Sequence, residues 1–282
     1  MALASAAHCC HHAAMEPLVS SARLRTALSL VIFAGWIAIT VFSGDFVGGG
    51  ARTPQPLNVP ISQSVQMNLL AAVVFLVVAI VALGWWDIGL GAPRSWRSLR
   101  VLWFPGLYLL AFLGLAIFAG FPPPSVLLVI AANTALAGLS EEVACRGVLY
   151  KGLRHSLPVW PSILLSTLLF GAVHILNGLA TGDFLASSIQ AVTAFMTGIA
   201  FMGIRIRTGS LYPAIVLHAL WDFLLIVAVT GLAARFGAEA AAQVPSASSL
   251  PLAALALPVA VIVPNFLFGL FLLRHASRHE MA

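Results

Sequence analysis

The sequence predicts an all-α protein that crosses a lipid bilayer repeatedly, a polytopic bundle of about eight helical spans. Three observations predict it. Of 282 residues, 61% are hydrophobic and 8% are charged, whereas soluble globular chains carry about 25% charged residues. The apolar residues gather into eight stretches, each near the roughly 20 residues that a helix needs to cross a hydrocarbon core of about 30 Å. The basic residues stand at the ends of these stretches rather than along them.

Taken in order, residues 1–22 form a tail that is expected to be disordered. Its run His8-Cys9-Cys10-His11-His12 has the soft donors of a metal-binding tract; the plainer expectation is an unstructured leader, with Met15 as an alternative start. Residues 23–124 hold three spans, at 26–43, 65–84 and 101–119. Residues 125–230 form the core, with spans at 125–149, 161–178, 184–204 and 210–230. Residues 231–282 contain a loop, a last span at 252–273 and a C-terminal tail. Breaks at Gly48-Gly49-Gly50, Pro122-Pro123-Pro124, Pro158 with Pro161, and Pro251 separate the stretches, as helix-breaking residues should.

Charge sets the orientation, because cytoplasmic loops collect Lys and Arg. With both termini inside, Arg23, Arg25, Arg94, Arg97, Arg100, Lys151, Arg154, Arg205, Arg207, Arg274 and Arg278 fall on the cytoplasmic side, and Arg52 and Arg235 outside. The net charge of +5 therefore reads as topology. No basic stripe with interleaved aromatics accompanies it, which excludes nucleic acid as a partner. Cys9, Cys10 and Cys145 make no disulfide framework. Thirteen of fourteen basic residues are arginine, which, with abundant alanine, suggests a bacterial inner-membrane protein without a cleavable signal peptide.

Ionisable groups are costly in the bilayer interior, so each one inside a span is a functional candidate. The fourth span holds Glu141, Glu142 and Arg146, the fifth His174, and the seventh His218 and Asp222. Glu142 and Arg146, four apart, share a helix face and are expected to pair. Glu141 projects about 100° away and needs another partner. His218 and Asp222 are also four apart. At about 1.5 Å per residue, Glu141 and His218 lie about 12 to 15 Å deep and His174 and Asp222 about 18 to 20 Å, so the four can meet.

Such a set contains what peptide hydrolysis requires: a base for water, groups that position the nucleophile, and a donor for the oxyanion. A carboxylate in a low-dielectric pocket is a stronger base, which suits Glu141. His174 would orient the same water, and His218, held by Asp222, would present N–H to the oxyanion. Glu141, His174 and His218 are alternatively a zinc donor set with an open position, although the H-E-x-x-H helix is missing. No G-x-S-x-G occurs, Ser140 has no triad logic, and Cys145 among apolar neighbours is expected to pack rather than react.

Glu141-Glu142-x-x-x-Arg146, then Phe170-x-x-x-His174, then His218-x-x-x-Asp222 resembles, in order and spacing, the three motifs of the CPBP family of CAAX-type proteases and bacteriocin-processing enzymes. The resemblance spans about 125–230. It implies an all-helical intramembrane endopeptidase with a cavity open to the cytoplasmic side. Glu141 would be the water-activating glutamate, His174 its helper, and His218 and Asp222 the oxyanion-side pair, with Glu142, Arg146 and Phe170 in support. It implies a peptide or membrane-protein substrate within lipid, and either a divalent metal such as zinc or none. Two other classes fit the same residues: a non-proteolytic interaction or immunity-type membrane protein, and a proton-coupled transporter, whose relay needs polar groups reaching both faces.

Overall fold

In a computed structural model, residues 22–48, 57–237 and 247–277 are described. The His/Cys run at 8–12, Met15, Gly49-Gly50, Arg52 and Arg278 lie outside them. The described residues are mostly helical and contain no strand.

The long helices are α1 (Ala22–Gly48), α3 (Met67–Leu83), α4 (Trp103–Ala119), α5 (Pro124–Glu142), α7 (Val159–Val173), α9 (Phe184–Thr208), α10 (Tyr212–Phe236) and α11 (Leu252–Leu273), with short α2 (Asn58–Gln63), α6 (Tyr150–Arg154) and α8 (Asn177–Thr181) between them. Seven helical stretches are long and apolar enough to cross a membrane. The eighth expected span, α3, is a 17-residue apolar helix, at the short end of spanning length. The core is a continuous rod, Pro124–Arg154, made of α5, a π-helical turn (Val143–Leu149) and α6.

The helix ends follow from local chemistry. Pro124 and Pro213 stand in first turns, where a missing N–H costs nothing. Asp183 caps α9 by accepting from the Ala186 N–H at 2.9 Å, as N-cap aspartates do. Gly209 ends α9 at φ 72°, a conformation that favours glycine.

Chain direction alternates, so the ends form two rims. At one rim, Arg25 pairs with Asp87, the Thr26 hydroxyl donates to the Gly152 carbonyl at 2.7 Å, and the Leu211 N–H donates to the Gly89 carbonyl at 2.8 Å. Trp86, Trp96 and Trp103 are exposed there, like an interfacial aromatic belt. At the other rim, Asn133 accepts from the Gln66 N–H at 2.8 Å and donates to the Ile61 and Ser64 carbonyls at 2.9 and 2.8 Å. The rims sort the described basic residues as the charge pattern expects: Arg25, Arg94, Lys151 and Arg154 at the first, Arg235 at the second.

Helices in lipid pack by close approach of small residues rather than by hydrophobic transfer. In the core, α5 packs on α10 and α7 on α9. A Cβ at Gly138 would lie 3.0 Å from the Ala219 nitrogen and 3.1 Å from the Ile215 carbonyl oxygen, so glycine there lets the α5 and α10 backbones touch. That contact brings the paired glutamates within reach of His218.

Candidate active site

The acid-bearing helix ends at Glu142 and continues as the π-helical turn Val143–Leu149, every residue of which is buried. This corrects the expectation of one regular helix over 125–149. Short π segments inside α-helices occur frequently at functional sites. Across the change of winding, Arg146 donates from its NH1 to the Glu142 Oε1 at 3.0 Å, and both side chains are 0% exposed. The Arg146 guanidinium lies 3.9 Å over the Phe170 ring, with Phe201 at 5.9 Å on its other flank. Desolvated contacts of this kind contribute on the order of 2 kcal/mol.

His218 sits at the junction of the acids. Its Nδ1 is 2.8 Å from the Glu142 Oε1. Glu142 already accepts from Arg146, so the proton of this bond belongs to Nδ1. The Nε2 faces the Asp222 Oδ2 at 3.5 Å and the Glu141 Oε2 at 3.6 Å. The expected hold of Asp222 on His218 is therefore the longer contact, and the shorter one is to Glu142, because the close approach of α5 and α10 puts that carboxylate directly against the ring.

His174 does not lie within a regular helix. It follows the end of α7 and opens the 3₁₀ turn His174–Leu176, within the helical stretch Val159–Thr181 that matches the expected fifth span. Its Nδ1 is 2.9 Å from the Phe170 carbonyl oxygen. A carbonyl only accepts, so Nδ1 carries the proton and Nε2 keeps its lone pair. Phe170 thus holds Arg146 with its ring face and His174 with its backbone, and its ring meets the His174 ring edge-on at 4.9 Å.

Glu141, His174, His218 and Asp222 all line one cavity of about 990 Å³. The structure brings the four together, as their depths allow. The Glu141 Oε2 is buried and has no hydrogen-bond partner among the described residues. Cys145 is a buried free thiol, in line with a packing role. Two residues escaped the sequence reading. The Phe201 ring lies 5.2 Å from that of His218, and nothing in the sequence marks it among 17 phenylalanines. Gly198 did carry a signal, since an isolated glycine inside a helical pattern calls for a packing reason. A Cβ there would meet the Arg146 NH2 at 2.6 Å and the Thr167 Cγ2 at 2.8 Å.

Among the described residues, no three His, Cys, Asp or Glu side chains are grouped to hold a metal ion. The Nδ1 of each histidine is engaged, with Phe170 and with Glu142, which leaves the Nε2 atoms as the ring donors toward any further group.

The cavity's lining comes from the second half of α1, from α2, from the start of α3, from Ala137 and Glu141 on α5, from Gln190 on α9, and from the parts of α7, α8 and α10 that lie away from the basic rim.

A multi-pass helical bundle that encloses two histidines and three carboxylates at mid-depth defines the class: a membrane-embedded acid–histidine site. Residues 123–224 match the family described as type II CAAX prenyl endopeptidase Rce1-like. The match over these residues is consistent with the CPBP, or CAAX-type protease, family that the order of the three motifs resembles. No curated protein and no solved structure matches the chain significantly.

Proposed function

We propose that the protein is an intramembrane endopeptidase in which Glu141 activates water for attack on a peptide carbonyl. The observation that carries this reading is the Glu141 carboxylate lining the cavity, with its Oε2 3.6 Å from the His218 Nε2. An intramembrane carboxylate that faces a cavity is costly to keep, and such groups mark functional sites. The match of residues 123–224 to an endopeptidase family supports the reaction class.

The residues divide the work as follows. Glu141 takes a proton from water, and the lone pair on the His174 Nε2 accepts the other water proton as a hydrogen bond, which aims the oxygen. The hydroxide adds to the carbonyl carbon, and the negative charge that forms on the carbonyl oxygen is met by N–H from the Nε2 of His218, whose ring in this step is the cation with a proton on each nitrogen. Glu141 then delivers its proton to the leaving amine as the C–N bond breaks, giving a carboxylic acid, which ionises in water, and an amine. Glu142, clamped by Arg146, orients His218 through Nδ1, and Asp222 steadies the Nε2 side. Arg146, Phe170 and Glu142 are positioning residues. No step passes through a metal ion.

The test is cleavage of membrane-anchored peptides by the purified protein in lipid nanodiscs, wild type against Glu141→Gln. Loss of a general base reduces the rate by about 10² to 10⁴-fold. Equal cleavage by the variant removes Glu141 as the base. An intact wild type that cleaves nothing, yet retains its biological effect in cells, favours the non-proteolytic interaction reading.

A further inference from the structure

The cavity and the positive charge lie at opposite ends of the bundle, and this juxtaposition assigns a side to the site. Side-chain exposure falls steadily along the cluster: Asp222 is 34% exposed, Glu141 18%, His218 8%, and Glu142 and Arg146 0%. Access therefore comes from the Asp222 side, which on α10 is the direction leading away from the basic rim.

Toward the basic rim the path is closed. From Glu141 to Arg154 the rod rises about 20 Å, and the whole π-helical turn in between is buried. Arg205 caps that turn by donating from Nε to the Arg146 carbonyl at 3.1 Å and from NH2 to the Ile88 carbonyl at 3.1 Å. Leu211 and Ile88 would lie 3.2 and 3.4 Å from a Cβ at Gly147, so no channel passes beside it. The closed end is also the basic end, carrying among the described residues Arg25, Arg97, Arg100, Lys151, Arg154 and Arg274, against Arg235 at the cavity end. Basic residues are retained on the cytoplasmic side of a membrane.

We infer that the cavity opens to the extracytoplasmic side, and that the substrate is a peptide segment presented there, in the outer half of the bilayer or at its outer surface. The substrate class, though not the orientation, rests on the proposed peptidase activity. The lining suits such a segment: the amides of Asn58, Asn177 and Gln190 alternate with Leu57, Leu179 and Leu225, and the charged groups among the described lining residues are Glu141 and Asp222 alone. Amides answer the backbone of an extended peptide and leucines its apolar side chains. A polypeptide tail confined to the cytoplasm would meet the closed end instead.

The experiment uses the full chain in the membrane of intact bacterial cells. Cys9 and Cys10 are changed to serine, Cys145 is left buried, and one cysteine is added per variant: Asn58→Cys or Leu179→Cys at the cavity, Arg97→Cys at the basic rim. A membrane-impermeant maleimide should label Asn58→Cys and Leu179→Cys in intact cells, and Arg97→Cys only after permeabilisation. Labelling of Arg97→Cys alone, or of both ends equally, overturns the inference whatever the protein cleaves. A second arm presents one anchored reporter peptide on either side of the membrane, and cleavage that depends on Glu141 is expected outside only. Cleavage confined to the cytoplasmic reporter also overturns the inference. The expected labelling with no Glu141-dependent cleavage of either reporter upholds the orientation and removes the peptidase reading instead.

Discussion

Replacing Arg146 by Met tests the framework under the site. The guanidinium faces the Glu142 carboxylate at 3.0 Å, and neither side chain is exposed. At an effective dielectric of 20, two unit charges at that separation attract by about 5.5 kcal/mol. Breaking a buried pair from one side costs about 3–5 kcal/mol, because the remaining charge stays desolvated. Met keeps the aliphatic bulk against Phe170 and removes the charge, so Arg146→Met should lose about 3–5 kcal/mol of stability. The double variant Glu142→Gln/Arg146→Met leaves no buried charge at this point. It should be less destabilised than the sum of the singles, with a coupling of about 0.5–3 kcal/mol. The assay is reversible unfolding in mixed micelles, titrated with denaturing detergent, for wild type, both singles and the double. An Arg146→Met variant within about 0.5 kcal/mol of wild type, the range of an ordinary surface substitution, or strictly additive singles, would refute the claim that this ion pair organises the core.

Three further outcomes are expected. Gly198→Ala drives a methyl group to 2.6 Å from the Arg146 NH2; overpacking of that kind costs about 1–3 kcal/mol, and cleavage should fall with it, whereas unchanged stability and activity would show that the guanidinium has room to move. Cleavage should survive chelator treatment, and a loss that added zinc restores would refute the metal-free sequence of steps. Asp87 gives the pH dependence: burial works to raise its pKa, but the hydrogen bond and charge of Arg25 outweigh this and hold it below the usual carboxylate range. Its contribution is therefore complete above about pH 4, the ordinary value, and is lost as pH falls through the depressed value. With Asp87 half exposed the pair is worth less than about 1 kcal/mol, so Asp87→Asn should slightly lower the melting temperature at pH 7 and flatten its fall below pH 4.

Much of the site was legible because burying charge in a bilayer is costly. Glu141, Glu142, Arg146, His174, His218 and Asp222 stand out in apolar spans, and helical rise places them at compatible depths. What spacing could not reveal was which acid touches His218. An i,i+4 pattern shows only neighbours on the same helix, so Asp222 looked like the partner. The shorter contact comes from Glu142 on another helix, and it depends on the close approach that Gly138 permits. The break at His174 was hidden for a similar reason: Phe170 to His174 reads as one helical turn, and only the bond to the Phe170 carbonyl shows that turn closing the helix.

The sequence by itself determined the all-helical membrane architecture, the sidedness of the charge and the identity of the polar groups. Each of these follows from the partition of single residues between lipid and water, which needs no knowledge of neighbours. The tertiary structure alone decided the π-helical turn, the seat of Arg146 against Phe170 with Phe201 nearby, and the residues that share one cavity. Those features depend on how closely helix backbones approach and which side chains fill the space between them, and contacts between helices leave no periodic trace along the chain.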